Sequence, residues 1–319
     1  MSRQPFRILV IGAGVIGSVY AVRLQAVGYS VTLLARGPHA GDVRTHGLTL
    51  VDAATGQSRT SYVRVVQRLA PDDRYDLALV CVRLDQVATT LPTLSANRHI
   101  PLVVFLLNNP TGTTVLMEHL GAERVVLGFS GIGGTREETQ MRYVRLRQQP
   151  TMPGQVDGQI TSRLRQLAAM LERAGFPTTL SHSMDGWLKT HAVFVSCISA
   201  ALAPEGGDSV QLGQNRARVA LMVNATREGV AALQSLGVRV TPFNLPLLFR
   251  WMPRWFATRY WQHALQTEVG TLAIAPYANA ARAEMSRVAG EILEPSPVPV
   301  PTLQRLLAAL RDTALATES

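Results

Sequence analysis

Short apolar runs alternate with amphipathic stretches through the first half of the chain. The runs show no polar alternation, which is typical of strands buried on both faces of a parallel sheet. They lie at 6–11, 30–35, 77–82, 102–107 and 124–128. The stretches at 15–27, 86–94 and 113–120 have helical periodicity. The pattern therefore predicts a parallel sheet covered by helices.

Two further features belong to this half. Residues 48–66 are rich in Thr and Val around a turn at 54–56, which predicts a pair of strands. A helix is expected at 161–174 and a closing strand at 177–180. After residue 183 the β-rich runs end, and helices are predicted at 184–202, 210–236, 265–293 and 302–315. We therefore predict an α/β domain over 1–182 followed by an all-α domain over 183–319.

A glycine-rich turn joins the first predicted strand to the first predicted helix. It reads Gly12-Ala13-Gly14-Val15-Ile16-Gly17. In this context the first glycine permits a tight turn, the second lets a pyrophosphate approach the helix N-terminus, and the third lets helix and strand pack closely. All six residues are predicted to bind a dinucleotide, which makes 1–182 a Rossmann-type cofactor-binding domain.

The residue after the second strand distinguishes the two nicotinamide cofactors. Arg36 follows this strand, and no acidic residue occurs before Asp42. A carboxylate here would hold the ribose 2′-hydroxyl of NAD, whereas an arginine matches a 2′-phosphate. We therefore predict that the cofactor is NADP(H).

The basic residues include one side chain of a different kind. Lys189 is the only lysine among 31 basic residues of a chain with a formal net charge of +9. Arginine can replace lysine on a solvated surface but does not release a proton near neutral pH. The retained lysine therefore indicates proton transfer. The alternative is a structural ion pair with Asp185, one helical turn earlier.

The remaining composition excludes several classes of protein. The arginines are dispersed rather than gathered in a tail or stripe, so no nucleic acid is expected. Cys81 and Cys197 lie in separate apolar runs, with no CxxC and no His/Cys cluster, so neither a disulfide nor a metal site is expected. No apolar run reaches about 18 uncharged residues. We expect a cytoplasmic protein that acts on a small molecule, without membrane contact.

Five motifs, taken in order, resemble the ketopantoate reductase family, of which the chain would be a divergent member. They are IGAGVIG at 11–17, LARG at 34–37, CVRLDQ at 81–86, NNPTG at 108–112 and DGWLK at 185–189. The resemblance implies NADPH-dependent reduction of a 2-oxo acid, as by a 2-dehydropantoate 2-reductase. By the resemblance, the family's catalytic lysine corresponds to Lys189. The family's asparagine that follows the strand after the Arg83 strand corresponds to Asn109, which is expected to contact the cofactor as well. Arg83 and Gln86 are expected to add cofactor contacts.

Reduction of a ketone by hydride transfer also requires a lysine-like group on physical grounds. A donor must sit on the carbonyl oxygen and release a proton as negative charge develops there. Lysine does this at neutral pH where partial burial lowers its pKa. Lys189 is thus predicted to be the general acid.

The chain departs from the family where the substrate would be held. The asparagines that follow the family's lysine at four and eight positions are Val193 and Cys197, and Ala275 lies in the late polar segment. The substrate is therefore left open as a 2-oxo acid or related carbonyl compound. Ser196 shares the helical face of Lys189 and is a substrate-binding candidate, whereas His191 points away and is expected to be structural.

Residues 243–261 contain three of the four tryptophans, interspersed with arginines. A core or subunit-interface helix, an apolar substrate tunnel and an interfacial membrane helix are the interpretations of this stretch. A homodimer through the helical domain agrees with the first of them.

Three functions follow from these residues. The first is the NADPH-dependent reductase with Lys189 as its acid. The second is the reductive joining of an amine and an oxo acid, as in opine dehydrogenases. The third is a non-catalytic NADP(H) sensor. The glycine turn together with the retained lysine favours the first.

Overall fold

The computed structural model describes residues 5–110, 113–137, 140–146, 149–241, 249, 251–280 and 289–315. The chain divides into two compact units, Met1–Met184 and Asp185–Ser319. This division falls two residues after the boundary expected from the sequence.

The described strands all belong to the first unit. They are β1 (Arg7–Ile11), β2 (Ser30–Leu34), β3 (Leu48–Asp52), β4 (Ser58–Ser61), β5 (Arg64–Val66), β6 (Leu77–Val80), β7 (Val103–Leu106), β8 (Val125–Phe129), β9 (Ile132–Glu137), β10 (Gln140–Arg145) and β11 (Met152–Gln155). The main sheet has the order β11-β8-β7-β6-β1-β2-β5, and every neighbouring pair is parallel except β8 and β11. This is the predicted Rossmann-type sheet.

The direction of the strand order reverses between β1 and β6. Strands after β1 continue to one side as β2 and β5, whereas β6, β7 and β8 continue to the other. In open α/β sheets a ligand binds beyond the carboxyl ends of the strands at such a reversal. The topology therefore predicts a ligand-binding site at the loops that follow β1, β2, β6 and β7.

Five α-helices in the described part of this unit accompany these strands. They are α1 (Val15–Ala26), α2 (Pro38–His46), α3 (Val87–Ala96), α4 (Thr113–Leu120) and α5 (Ser162–Arg173). The core between sheet and helices is built by the uninterrupted apolar runs, among them Ile8 and Leu9 of β1 and Leu77 and Leu79 of β6, each at most 1% exposed. Their complete burial explains the absence of polar alternation in the sequence.

A second sheet has the order β4-β3-β10-β9. The antiparallel pair of β3 and β4 confirms the strand pair predicted at 48–66. The hairpin of β9 and β10 was not predicted, because Gly133 and Gly134 interrupt its apolar pattern. Gly134 is required there, since a Cβ at this position would lie 2.3 Å from the carbonyl oxygen of Arg142.

The strand predicted at 177–180 is wrong. Only Thr178 forms an isolated bridge, to Thr151. Pro177 has no N–H to donate, so a ladder cannot continue through it. Helix α2 was also missed, because it buries only Ala40 and Val43 and has little apolar periodicity.

The second unit is helical. Its helices are α6 (Met184–Leu202), α7 (Ser209–Gln214), α8 (Arg216–Ser235), α9 (Arg254–Leu265), α10 (Ala275–Ala280) and α11 (Pro301–Leu315), with a π-helical turn at Gly270–Ile274. The helix predicted at 210–236 is divided at Asn215, whose side chain accepts from the backbone N–H of Arg218 at 3.1 Å. The helix predicted at 265–293 is observed over 268–280, through the π-helical turn and α10, and again at 289–293, and 281–288 lies outside the described residues.

Helix α6 is almost completely buried. The segment Met184–Glu205 is long and apolar enough to cross a membrane by length and composition, but 94% of its most apolar window is buried inside the protein. Such burial is that of a core helix. The packing is close, since a Cβ at Gly229 of α8 would lie 2.4 Å from Cγ1 of Val193.

Candidate active site

The glycine turn after β1 is shaped by close backbone contacts. Gly12 has φ +105°, and a Cβ there would lie 2.6 Å from the carbonyl oxygen of Cys81 at the end of β6. Its N–H donates to the carbonyl oxygen of Leu34 at 3.1 Å. A Cβ on Gly17 would lie 1.9 Å from the carbonyl oxygen of Gly12. Both positions therefore exclude any side chain.

Gly14 differs from the other two glycines. It is the N-cap of α1, with the extended backbone angles φ −76° and ψ −176°, and a Cβ there would meet nothing within 4 Å. No side chain caps α1, and its first turn holds no acidic residue. The N–H groups of this first turn, from Val15 onward, therefore face an open space that suits an anion.

The loop after β2 lies against this turn. His39 Nε2 donates to the carbonyl oxygen of Ala13 at 3.1 Å, so the start of α2 is tied to the glycine turn. Arg36 is exposed three residues earlier. No motif or spacing in the sequence indicates the contact of His39 with Ala13.

The loops after β6 and β7 add polar groups at the same edge. Arg83 forms a two-point ion pair with Asp85, with Nη2 to Oδ2 at 2.7 Å and Nε to Oδ1 at 3.1 Å. The hydrogen bond from Arg83 lowers the pKa of the Asp85 carboxyl. Gln86 Oε1 accepts from the backbone N–H of Arg83 at 3.3 Å, and Asn109 is buried, with 2% of its surface exposed.

The sheet thus brings most of the predicted cofactor residues to one edge. Gly12, Arg36, Arg83 and Asn109 follow β1, β2, β6 and β7, which are adjacent and parallel, so their carboxyl ends share one edge. Asp85, which the sequence analysis did not select, holds Arg83. The only feature of the sequence that could have indicated Asp85 is its charge, opposite to that of Arg83 two positions earlier.

The fit of this edge to a dinucleotide can be judged from the chain itself. A pyrophosphate needs free helix N–H groups and room for close approach, and the N-terminus of α1 above Gly14 offers both. A 2′-phosphate needs a cation beyond β2, and the exposed Arg36 is one. The residues present therefore fit a phosphorylated dinucleotide.

Lys189 lies in the second unit, on the second turn of α6. Its Nζ donates to Oδ2 of Asp185 at 2.7 Å, and 27% of its side chain is exposed against 52% for Asp185. The ammonium group is thus held by one carboxylate and still meets solvent. This geometry agrees with both interpretations of Lys189 from the sequence, as a proton donor and as the partner of a structural ion pair.

The other candidates on α6 are buried. Ser196 is fully buried and its hydroxyl donates to the carbonyl oxygen of Ala192 at 2.7 Å, so this group is used within its own helix. His191 stacks on Trp187, with ring centroids 4.8 Å apart and planes at 11°. Burial lowers the pKa of His191 to about 3, which keeps the imidazole neutral.

The positions where family asparagines are absent serve packing. Val193 and Cys197 are fully buried, and Val193 meets Gly229 of α8. Burial raises the pKa of the Cys197 thiol to about 12, so it remains protonated. Ala275 is also buried, at 6% exposure. Among the described residues no group of three or more His, Cys, Asp or Glu side chains is placed to hold a metal ion.

The sheet order, the glycine turn and the edge it faces define a Rossmann-type dinucleotide-binding protein with a helical second unit. Residues 8–158 match the family model of the ketopantoate reductase PanE/ApbA. The chain is also 27% identical over 238 residues to a 2-dehydropantoate 2-reductase of Halobacterium salinarum, covering 74% of this chain and 77% of that one. The chain is therefore similar to the ketopantoate reductase family, as the motifs indicated.

Solved structures share the whole fold. The 2-dehydropantoate 2-reductase of Geobacter metallireducens aligns with a TM-score of 0.79 at 17% identity, over 96% of this chain and 99% of that one. A D-mandelate dehydrogenase solved with NADH and anilino(oxo)acetate aligns with a TM-score of 0.77 at 13% identity, over 98% and 99%. At these identities the likeness establishes the fold.

Proposed function

We propose that the protein is an NADP-dependent oxidoreductase that reduces a 2-oxo acid or a related carbonyl compound. The observation that carries the proposal is the open N-terminus of α1 above Gly14, with Arg36 at the next strand end. The similarity to a relative named 2-dehydropantoate 2-reductase supports ketone reduction. It favours this reaction over reductive amination and over a non-catalytic NADP(H) sensor.

The residues of the first unit bind and orient the cofactor. The N–H groups of residues 14–17 hold the pyrophosphate, and Arg36 pairs with the 2′-phosphate. Asp85 positions the Arg83 guanidinium at the edge of the sheet, and Asn109 supplies a buried amide there. When bound, NADPH supplies the hydride that reduces the carbonyl carbon.

Lys189 is proposed as the general acid. Its ammonium group, held at 2.7 Å by Asp185, donates a proton to the carbonyl oxygen as that oxygen becomes an alkoxide. An arginine cannot take this role, because its guanidinium keeps its protons. This need explains why a chain rich in arginine retains one lysine.

The decisive experiment separates proton donation from a structural ion pair. Lys189→Arg keeps the charge and the pair with Asp185 but removes the proton donor. We expect kcat for NADPH oxidation with a panel of 2-oxo acids to fall by about 10²- to 10⁴-fold, while the Kd for NADPH and the free energy of unfolding stay unchanged.

Asp185→Asn is the matched control, because it breaks the pair and keeps the lysine. If Lys189 were only a structural partner, Lys189→Arg would be nearly silent. Asp185→Asn would then lower kcat as strongly as Lys189→Met. That result would refute the assignment of the general acid and leave the cofactor site untouched.

Two properties of the whole molecule belong to the proposal. The absence of a metal or disulfide requirement in the sequence pattern agrees with a cytoplasmic enzyme acting on a small molecule. A homodimer through the helical unit remains a prediction, which sedimentation of the purified protein at several concentrations would test.

A further inference from the structure

A group of large aromatic side chains is exposed on the second unit, within the tryptophan-rich stretch 243–261. Trp251 is 72% exposed, Trp255 63%, Phe256 40% and Tyr260 45%. Two exposed arginines lie between them along the chain. We call this set the aromatic–arginine face: Trp251, Arg254, Trp255, Phe256, Arg259 and Tyr260.

The exposure is not the result of a loosely packed helix. The opposite face of α9 is buried through Ala257, Trp261 and Leu265. Trp261 packs against Phe194 and Phe249, with ring centroids 4.9 and 5.9 Å away. Helix α9 is therefore fixed to its unit by one face and presents aromatic rings on the other. A contiguous exposed apolar patch of this kind marks a contact site.

The charged side chains along this segment have one sign. The chain has no acidic residue between Glu228 and Glu268. Neither Arg254 nor Arg259 forms an ion pair with another described residue. The pKa of Arg227 is lowered by its burial and by the charge of Arg254, so positive charges here face one another without compensation. The surface complements an anionic partner.

A second copy of the chain fits this face poorly. A twofold interface places the same patch on both subunits. Arg254 and Arg259 of both copies would then bring four positive charges into one interface, with no carboxylate in the segment to balance them. Like charges brought together at an interface are strongly unfavourable. An anionic surface that also accepts rings meets no such obstacle.

We propose that the aromatic–arginine face docks on an anionic lipid surface. Tryptophan and tyrosine rings favour the boundary between headgroups and acyl chains, and helices that combine such rings with arginines lie in that plane. Four rings against two described arginines make the contact mainly apolar, which favours a lipid over a nucleic acid. This inference is independent of the proposed reductase activity, and it replaces the expectation of no membrane contact.

The tryptophans supply a reporter for the test. Trp187 and Trp261 are buried, at 1% and 7% exposure, whereas Trp251 and Trp255 are exposed. The full chain is mixed with vesicles of phosphatidylcholine, or of an equimolar mixture of phosphatidylcholine and phosphatidylglycerol. We expect co-sedimentation at least about ten-fold stronger with the anionic vesicles, weakening as salt is added. Tryptophan emission should shift to shorter wavelength at the same lipid concentration.

Two pairs of variants locate the contact. Trp251→Ser with Trp255→Ser should abolish sedimentation with either vesicle. Arg254→Gln with Arg259→Gln should remove the preference for anionic vesicles. Arg59→Gln with Arg165→Gln is the matched control, because both side chains are exposed in the first unit and the change in net charge is the same. The control should bind as the unchanged protein does. Thermal unfolding and NADPH binding verify that each variant is folded.

Three results would overturn the proposal. The first is equal sedimentation by the control and the Arg254 and Arg259 variant. The second is no binding to either vesicle by the folded protein. The third is self-association, or retention of single-stranded DNA, that the tryptophan variant abolishes while vesicle binding is absent.

Discussion

The glycine turn of the first unit and helix α6 of the second unit hold the two halves of the proposed chemistry, and they differ in what shapes them. The turn is shaped by backbone atoms: Gly12 and Gly17 have no room for a Cβ. The reactive group of α6 is a side chain, Lys189, in an otherwise well-packed helix. A backbone site depends on residues adjacent in sequence, whereas a side-chain site depends on what the rest of the chain brings to it.

The largest expected effect tests the turn itself. Gly17→Ala would place a Cβ 1.9 Å from the carbonyl oxygen of Gly12, so backbone must move. We expect a loss of about 3 kcal/mol or more in the free energy of unfolding, measured by urea denaturation. Gly14→Ala is the matched variant, because its Cβ meets nothing within 4 Å. It should change stability by less than about 0.5 kcal/mol.

The same pair separates fold from cofactor binding. Gly14→Ala fills the space above the N-terminus of α1, so the Kd for NADPH should rise about ten-fold or more although the fold is intact. If Gly14→Ala bound NADPH as well as the unchanged protein, the pyrophosphate would not lie over this turn.

The contrast explains which parts of the structure were predictable. Strands β1, β2, β6, β7 and β8 of the main sheet follow from uninterrupted apolar runs, because burial on both faces leaves no polar position. Helix α6 follows from its own periodicity. The hairpin of β9 and β10 was not predicted, because the strand that it pairs with, β3, lies far away in the sequence. The helix predicted at 210–236 is divided at Asn215 by a single capping hydrogen bond. Apolar periodicity is judged over many residues, so it does not detect one capping residue.

The site divides in the same way. The glycine turn and Arg36 were identified because strand, turn and helix are consecutive in sequence. The contact of His39 with Ala13, the pairing of Arg83 by Asp85 and the burial of Ser196 arise from side-chain placement. No spacing rule indicates these contacts, so only the structure supplies them.

Another prediction concerns the packing of α6 and its dependence on pH. The pKa of His191 lies at about 3 in the folded chain against 6.5 ordinarily. Between these values the unfolded chain binds a proton that the folded chain excludes, so stability falls as the pH falls below 6.5. By pH 4.5 the loss amounts to about 3 kcal/mol.

His191→Phe should remove this loss while it retains the stacking on Trp187. Urea denaturation of both proteins between pH 7 and about 4.5 measures the difference in slope. Parallel curves for the two proteins would show that the imidazole takes up its proton without unfolding, and that α6 is less tightly packed than the glycine turn.

The last prediction tests Arg36, a side chain whose role was inferred from its position next to a strand end. Arg36→Ala should raise the Kd for NADPH by about 10- to 100-fold, the worth of a charge-assisted hydrogen bond, and leave that for NADH unchanged. Arg44→Ala in α2 removes an equal charge from an exposed position and controls for general attraction of the anionic cofactor. Fluorescence titration with both cofactors measures each value.

An equal loss of NADH affinity would mean that Arg36 holds the adenine or the pyrophosphate rather than the 2′-phosphate. Side-chain chemistry would then be harder to infer from neighbouring sequence than the backbone turn was, even within the same loop region.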